Sequence, residues 1–193
     1  MEVLLGLLAI ESMSGYDLGQ MIRGSVGHFW NESYGQIYPN LKRLEKGGFV
    51  NCKTERHKGK PDRRVYSITE KGRKRLQGWL AVPPQPEIPR NELLLKLFFG
   101  HQVPAAILIG YVEHMAEEHR AVLDFLERAE REQIDANRHY PGAPYWRMAA
   151  RFGEFEMKAH LRWAEVTLAE LKKLARKPQK HPRTRQEKKH AGQ

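Results

Sequence analysis

The chain has 193 residues, of which 40% are apolar and 29% are charged, with 33 Lys and Arg against 23 Asp and Glu. This composition is typical of a folded chain of one or two domains and excludes a wholly disordered protein. The single cysteine, Cys52, excludes an internal disulfide framework and a metal site built on clustered cysteines.

The positive charge is concentrated at the two ends of the chain. Residues 1–80 carry 14 basic and 8 acidic side chains, residues 81–171 carry 10 and 14, and residues 172–193 carry 9 and 1. Basic segments of this kind favour a polyanionic partner such as nucleic acid. No apolar run approaches the ~18 residues of a membrane helix, and Glu2 stands where a secretory leader is positively charged. We therefore expect a cytoplasmic protein with no membrane partner.

The chain begins with a pattern that predicts three short helices. Residues 3–10 are an apolar helix, and Ser14 with an acidic residue three positions on predicts the start of the second. Ser33 and Gln36 fit a capping box that opens the third helix. Its apolar residues fall at i, i+4 and i+7 on one face, namely Ile37, Leu41 and Leu44, and two glycines at 47 and 48 end it.

A hairpin and a closing helix follow. Residues 49–55 and 65–68 are strand-like runs joined by a turn that contains Gly59 and Pro61, and Thr69 caps a fourth helix through Leu80. Three helices, a two-stranded basic wing and a closing helix describe a winged helix-turn-helix, which we assign to residues 1–82 as a DNA-binding domain.

The second half of the chain predicts only helices. Four prolines within residues 83–89 indicate a linker, and residues 90–175 contain an apolar helix at 93–100 and two long amphipathic helices within 104–139 and 145–174. A single hairpin can hide only part of these apolar faces, so we expect a mostly α-helical homodimerisation domain. The expected dimer-interface residues are Leu93, Leu97, Phe98, Leu108, Met115, Val122, Phe152, Phe155 and Trp163. Residues 176–193 form a basic tail that we expect to be disordered.

The third helix and the wing carry the residues that suit DNA. Opposite its apolar face, the third helix begins with small and hydrogen-bonding groups and ends in cations, which suits the major groove. The wing concentrates six cations, which suits phosphates or a minor groove. Both features also occur on ordinary solvated surfaces. Pro39 is unexplained by the periodicity, since a proline in a second helical turn costs up to ~3 kcal/mol.

Several motifs in order resemble the PadR family of bacterial transcriptional regulators. They are LLGLL at residues 4–8, SGYDL at 14–18, GQIYP at 35–39 and GKP at 59–61, while residues 90–99 are similar to the start of the long C-terminal domain in the PadR-like subfamily. The resemblance implies a dimeric winged-helix repressor that binds a pseudo-palindromic double-stranded operator and is released by a small lipophilic or aromatic effector. It also accounts for Pro39, because a Tyr-Pro pair in the recognition helix is a hallmark of the family.

The candidate DNA-binding residues are chosen from the patterns of the third helix and the wing and from the resemblance to the family. Tyr16 matches the supporting helix of the family, while the others lie on the third helix or the wing. The full set is Tyr16, Ser33, Tyr34, Gln36, Tyr38, Pro39, Lys42, Arg43, Lys58, Lys60, Arg63 and Arg64. Lys60 stands where the family usually has Arg, which keeps the charge but loses the planar fork.

Other functions remain to be weighed against this one. We find no catalytic constellation, cofactor motif or metal site: His114 and His119 are five residues apart and point to different sides of a helix. A non-specific architectural or RNA-binding protein would also explain the charge, and a protein-binding adaptor would explain the fold. Four tryptophans, Trp30, Trp79, Trp146 and Trp163, either line an effector pocket near the dimer interface or are ordinary core and interface aromatics.

Overall fold

The computed structural model describes residues 1–30, 34–55, 62–86 and 90–176. Close contacts divide the chain into two compact units, the first comprising Met1–Ile88 with Arg131–Ala136 and the second comprising Pro89–Glu130 with Asn137–Gln193. The boundary between residues 88 and 89 falls inside the stretch that the prolines predict to be a linker. Of the helices described, none has the length and apolar character needed to span a bilayer.

The first unit is the predicted winged helix, with one additional strand. Its helices are α1 (Glu2–Ile10), α2 (Gly15–Gly24), α3 (Tyr34–Lys46) and α4 (Glu70–Leu80). Its strands are β1 (Met13–Ser14), β2 (Val50–Glu55) and β3 (Arg63–Ile68), which form an antiparallel sheet in the order β1-β3-β2. The wing is the β2–β3 hairpin. The extra strand β1 pairs only two residues with β3, too short a run to show any alternation in the sequence.

The predicted starts of α2 and α4 are confirmed by their hydrogen bonds, while the capping box predicted at Ser33 lies outside the described residues. Ser14 and Asp17 form a reciprocal capping box at the start of α2, and the Thr69 hydroxyl accepts the N–H of Gly72 at 3.1 Å at the start of α4. After α3 the chain turns through Gly48, whose φ of 72° lies in the left-handed region that favours glycine. The turn at Gly48 thus follows the C-terminal end of α3 directly.

The core of the first unit fixes which face of α3 is exposed. Ile37, Leu41 and Leu44 are almost completely buried, as the i, i+4, i+7 pattern predicts, and they pack with leucines of α1 and α2. Because these residues hold one face of α3 in the core, the opposite face is left to solvent.

The second unit is a helical hairpin preceded by a short helix. It contains α5 (Glu92–Phe98), a 3₁₀ turn (Gly100–Gln102), α6 (Ala105–Ala129) and α7 (Ala143–Arg176). A π-helical turn (Glu130–Ile134) follows α6, and its residues from Arg131 onward are grouped with the first unit. The prediction of regular helix over 104–139 is wrong beyond Ala129. The apolar face of α6 stops there, and Asp135 and Asn137 are residues that favour turns over helix interiors.

Helices α6 and α7 pack along each other through a narrow core. Val112, Ala116 and Ala164 are fully buried, and the small alanine side chains allow the two helices to approach closely. Leu108, which the sequence places at a subunit interface, is also buried here by its own chain. Its apolar neighbours on α6 leave it only 4% exposed, so it has almost no surface to offer a second subunit.

Gly72 provides a test of how tightly α4 packs on the wing. A Cβ at this position would collide with the Phe49 carbonyl oxygen and come within 2.8 Å of Ile68 Cγ1. The Phe49 carbonyl cannot move freely, because it accepts the N–H of Thr69 at 3.0 Å. We expect Gly72→Ala to lower the free energy of unfolding by about 1–3 kcal/mol, as overpacking does.

Gly78→Ala is the matched control on the same helix. A Cβ there meets nothing within 4 Å, so the variant should gain up to about 1 kcal/mol from the higher helix propensity of alanine. Urea denaturation followed by circular dichroism measures both variants. Equal stability changes of the same sign in the two variants would contradict the packing described for Gly72.

Candidate nucleic-acid interface

The exposed face of α3 carries most of the predicted contact residues. Gln36, Tyr38, Pro39, Lys42 and Arg43 are all exposed, in agreement with the burial of the opposite face. Polar and aromatic groups occupy the first two turns and the cations follow. This is the order needed for a helix whose N-terminal half meets base edges while its later turns meet phosphates.

Tyr38 is held against α2 by the absence of a side chain at Gly15. A Cβ at Gly15 would come within 2.6 Å of Tyr38 Cε1, so the Tyr38 ring lies in the space that a side chain on α2 would otherwise occupy. The next residue on α2, Tyr16, is also exposed, and its hydroxyl accepts a hydrogen bond from Gln20 Nε2 at 2.7 Å. Two exposed tyrosines therefore flank the crossing of α2 and α3.

Arg63 of the wing is paired with Asp17 of α2. The Asp17 carboxylate accepts hydrogen bonds from the Ser14 N–H at 3.0 Å and the Ser14 hydroxyl at 2.7 Å, and it forms an ion pair with the Arg63 guanidinium. Partial burial raises the pKa of Asp17, but the hydrogen bonds from Ser14 and Arg63 outweigh it and lower the pKa below its ordinary value. One carboxylate thus caps a helix and anchors the wing.

Arg64 makes a second connection, from the wing to α3. Its Nη2 lies 3.0 Å from Oε2 of Glu45, its Nε donates to Cys52 Sγ at 3.2 Å, and its guanidinium lies 5.6 Å from the centre of the Tyr66 ring. The bond to Cys52, together with the nearby Tyr66 and Glu45, raises the pKa of Arg64, which therefore stays charged. Cys52 accordingly has a structural neighbour and lies on the wing strand that the sequence predicts.

The cations of this surface therefore differ in their availability. Arg63 and Arg64 each have a carboxylate partner, which fixes their side chains while leaving about half of each exposed. Lys42, Arg43 and Lys46 of α3 are exposed, and no carboxylate among the described residues pairs with them. The α3 cations thus differ from the wing arginines, whose side chains are oriented by carboxylate partners.

Some predicted residues lie outside the described part of the chain. Ser33, Lys58 and Lys60 fall in the gaps, and the side chain of Tyr34 is likewise not described although α3 begins there. Their contacts stay predictions.

Two important residues are absent from the predicted set. Asp17 was identified only as a capping residue, and Glu45 was not singled out at all. The capping pattern marks Asp17 in the sequence, but its pairing with a residue 46 positions away has no local signal. Both residues are acidic, and a search of the sequence for the cations of a DNA-binding face does not select acidic residues.

The predicted dimer-interface residues occupy three environments. Phe98, Phe152 and Phe155 are 79%, 66% and 72% exposed. Leu93, Leu97, Met115 and Trp163 are partly buried against the α6–α7 core, and Val122 is partly buried. Phe152 and Phe155 belong to a stripe on α7 that also contains the exposed Tyr145 and Met148.

The four tryptophans are dispersed within their own units. Trp163 packs against the α6–α7 core, and Trp146 stacks on Tyr140 with ring centres 5.0 Å apart. Trp30 and Trp79 are partly exposed on the first unit. Each has the environment of an ordinary core or surface aromatic, which is the plainer of the two interpretations drawn from the sequence.

Known families and proteins resemble this chain over most of its length. A model of the transcriptional regulator PadR-like family matches residues 4–78, and a model named virulence activator alpha C-term matches residues 89–172. The negative transcriptional regulator PadR of Bacillus subtilis is 36% identical over 97 residues, covering 50% of this chain and 53% of that protein. The chain thus spans about half the length of the curated relatives it matches.

Solved structures extend the similarity to both units. Bacillus subtilis PadR in complex with operator DNA matches with a TM-score of 0.75 and 26% identity, covering 88% of this chain and 96% of that one. Bacillus subtilis PadR in complex with p-coumaric acid matches with a TM-score of 0.68 and 25% identity, covering 89% and 97%.

Asp17→Asn tests the connection between α2 and the wing. At pH 7 we expect the free energy of unfolding to fall by about 1 kcal/mol, chiefly through the weakened cap, because an exposed ion pair adds little. The folded state lowers the pKa of Asp17 below its ordinary 3.8, so its stabilisation is complete above about pH 5 and is lost as the pH falls through the folded pKa.

Urea denaturation at pH 7 and pH 3 measures this difference. Glu11→Gln serves as the control, since Glu11 is exposed and pairs with none of the described residues through its carboxylate. An Asp17→Asn effect as large at pH 3 as at pH 7 would contradict the assigned role of the carboxylate.

Proposed function

Because the chain belongs to the PadR-like family of transcriptional regulators, we propose that it is a cytoplasmic repressor that binds operator DNA as a homodimer and is released by a small effector. The observation that carries this proposal is the exposed face of α3. Its polar and aromatic groups are followed by cations that no described carboxylate neutralises.

In this proposal α3 lies in the major groove. Gln36 and Tyr38 stand in the first two turns, where a recognition helix meets base edges. Lys42 and Arg43 stand one turn later and meet phosphates, which sets the register without reading the sequence. The similarity to Bacillus subtilis PadR bound to operator DNA supports this docking.

The wing lies against the adjacent backbone. Arg63 and Arg64 keep about half of their side-chain surface while their carboxylate partners hold them, so each can direct remaining N–H groups to a phosphate. Holding these side chains in advance reduces the conformational entropy lost on binding.

A second copy of the chain covers the stripe on α7. Tyr145, Met148, Phe152 and Phe155 are each about two-thirds exposed or more and share one face of α7, and a contiguous apolar surface of this kind is typical of protein–protein contacts. A two-fold pairing buries it and presents two α3 helices to a pseudo-palindromic operator with half-sites about 34 Å apart.

The effector is a small lipophilic or aromatic molecule. The structure of Bacillus subtilis PadR with p-coumaric acid supports this class. An effector that binds the free protein better than the DNA-bound protein shifts the population away from the operator.

A non-specific architectural or RNA-binding role is the main alternative. Sequence-independent binding depends on charge alone, so it predicts no discrimination between a promoter fragment and random duplex of equal length. It also predicts that replacing any exposed cation lowers the affinity for nucleic acid by about the same amount, and that replacing Tyr38 leaves this affinity unchanged. The first experiment below separates the two.

Tyr38→Ala and Lys42→Ala distinguish base contacts from phosphate contacts. Tyr38→Ala should lose about 1–3 kcal/mol of affinity for the specific site and little for random DNA. Lys42→Ala should weaken both duplexes to a similar degree, since a phosphate contact carries little sequence information. Fluorescence anisotropy on promoter fragments and random duplex measures both, and unchanged affinity in both variants would reject α3 as the recognition helix.

Phe152→Glu tests the proposed dimer interface. A buried charge in the centre of an apolar interface is strongly unfavourable, so the variant should be a monomer at micromolar concentration while the wild type is a dimer. Leu80→Glu is the matched control, since Leu80 is also 66% exposed but lies in the first unit. Light scattering measures the mass in solution. A dimeric Phe152→Glu protein would place the interface elsewhere.

A further inference from the structure

The exposed face of α2 carries a hydrogen-bonded pair, one member of which is absent from the predicted set of DNA-binding residues. Gln20 lies four residues after Tyr16, so the two side chains are neighbours on one face of the helix, and both are exposed. Gln20 Nε2 donates to the Tyr16 hydroxyl oxygen at 2.7 Å. The other face of α2 is buried through Leu18 and Ile22, so the pair lies on the solvent side of the helix.

This hydrogen bond determines which part of the Tyr16 hydroxyl is left for an external partner. A phenol has one hydrogen that it donates and an oxygen that accepts. The oxygen already accepts from Gln20, and none of the residues that the structure describes accepts the hydroxyl hydrogen. Because Tyr16 is 57% exposed, the hydroxyl remains available as a hydrogen-bond donor.

A phosphate oxygen of the DNA backbone is the partner that this donor suits. In a helix-turn-helix, the helix that precedes the recognition helix crosses the sugar–phosphate backbone, and hydroxyl side chains commonly donate to phosphates there. Tyr16 is placed for such a contact, since it lies on α2 beside the crossing with α3. The amide that donates to the hydroxyl oxygen also polarises the O–H bond, which makes the phenol a stronger donor.

We propose that Gln20 is a positioning residue that holds the Tyr16 hydroxyl as a donor to a DNA phosphate beside the groove that α3 enters. Holding the side chain in advance reduces the conformational entropy lost on binding. The contact is uncharged, so it releases no counterion from DNA and, unlike the contacts of lysine and arginine, does not add to the salt dependence of binding. The inference rests on the proposed function, since it requires DNA as the partner of α2.

A double-mutant cycle of Tyr16→Phe and Gln20→Met tests this assignment. Fluorescence anisotropy of the full-length protein measures the affinity for promoter fragments and for random duplex. Tyr16→Phe should weaken binding to both by about tenfold and Gln20→Met by about three- to fivefold, because a phosphate contact carries little sequence information. In the Tyr16→Phe protein, adding Gln20→Met should change either affinity by no more than about 1.5-fold, because the hydroxyl through which Gln20 acts is gone.

The salt dependence of binding distinguishes this contact from those of the cations. In a plot of log K against log salt concentration, Lys42→Ala should reduce the steepness by about 0.9, the value for one phosphate contact made by a cation. Tyr16→Phe and Gln20→Met should leave the slope unchanged. Gln77→Met is the matched control, because Gln77 is exposed on α4 and its side chain forms no hydrogen bond with the described residues. It should bind both duplexes as wild type does.

An effect of Gln20→Met that is equally large with and without the Tyr16 hydroxyl would overturn the proposal, because Gln20 would then act independently of Tyr16. Unchanged affinity in either single variant, or a flatter salt slope in Gln20→Met, would overturn it as well. Failure of the proposed function gives a different result. Wild type would then bind promoter and random duplex equally, while the dependence of the Gln20→Met effect on Tyr16 would persist on both.

Discussion

Asp17 lies where the second helix, the first strand and the wing meet, and the geometry of the surface that we propose to bind DNA depends on it. Its carboxylate accepts the Ser14 N–H and hydroxyl and also holds Arg63. The cap sets where α2 begins, and this start places Gly15 under the Tyr38 ring. Glu45 repeats the arrangement on α3 through Arg64. The third helix and the wing beside it are therefore oriented by acidic residues.

Whether a feature of the first unit could be predicted from the sequence depended on how far apart in the chain its interacting residues lie. The caps at Ser14 and Thr69 and the buried face of α3 follow from residues within one or two helical turns, and the sequence predicts them correctly. The pairing of Arg63 with Asp17 joins residues 46 positions apart, and no local pattern specifies it. The end of α6 was missed because the polar residues beyond Ala129 fit a helix surface as well as a turn.

The second unit likewise combines features that the sequence predicts with features that it does not. Periodicity identifies the apolar faces of α6 and α7, but it cannot say which part of each face the hairpin itself covers. Leu108 is buried in the core of its own chain, whereas Phe152 and Phe155 remain exposed. The sequence pattern does not distinguish these three residues, because all of them are large and apolar. Their different roles arise from the closeness of the two helices, which the small side chains of Ala116 and Ala164 permit.

Pro39 lies inside α3 on its exposed face and lacks the N–H that would donate to the carbonyl of Gly35. Gly35 and Pro39 flank Gln36 and Tyr38, so the turn of α3 that carries these two side chains lacks one of the main-chain hydrogen bonds that hold a regular helix together. Substitution of side chains elsewhere on the helix would not restore this bond.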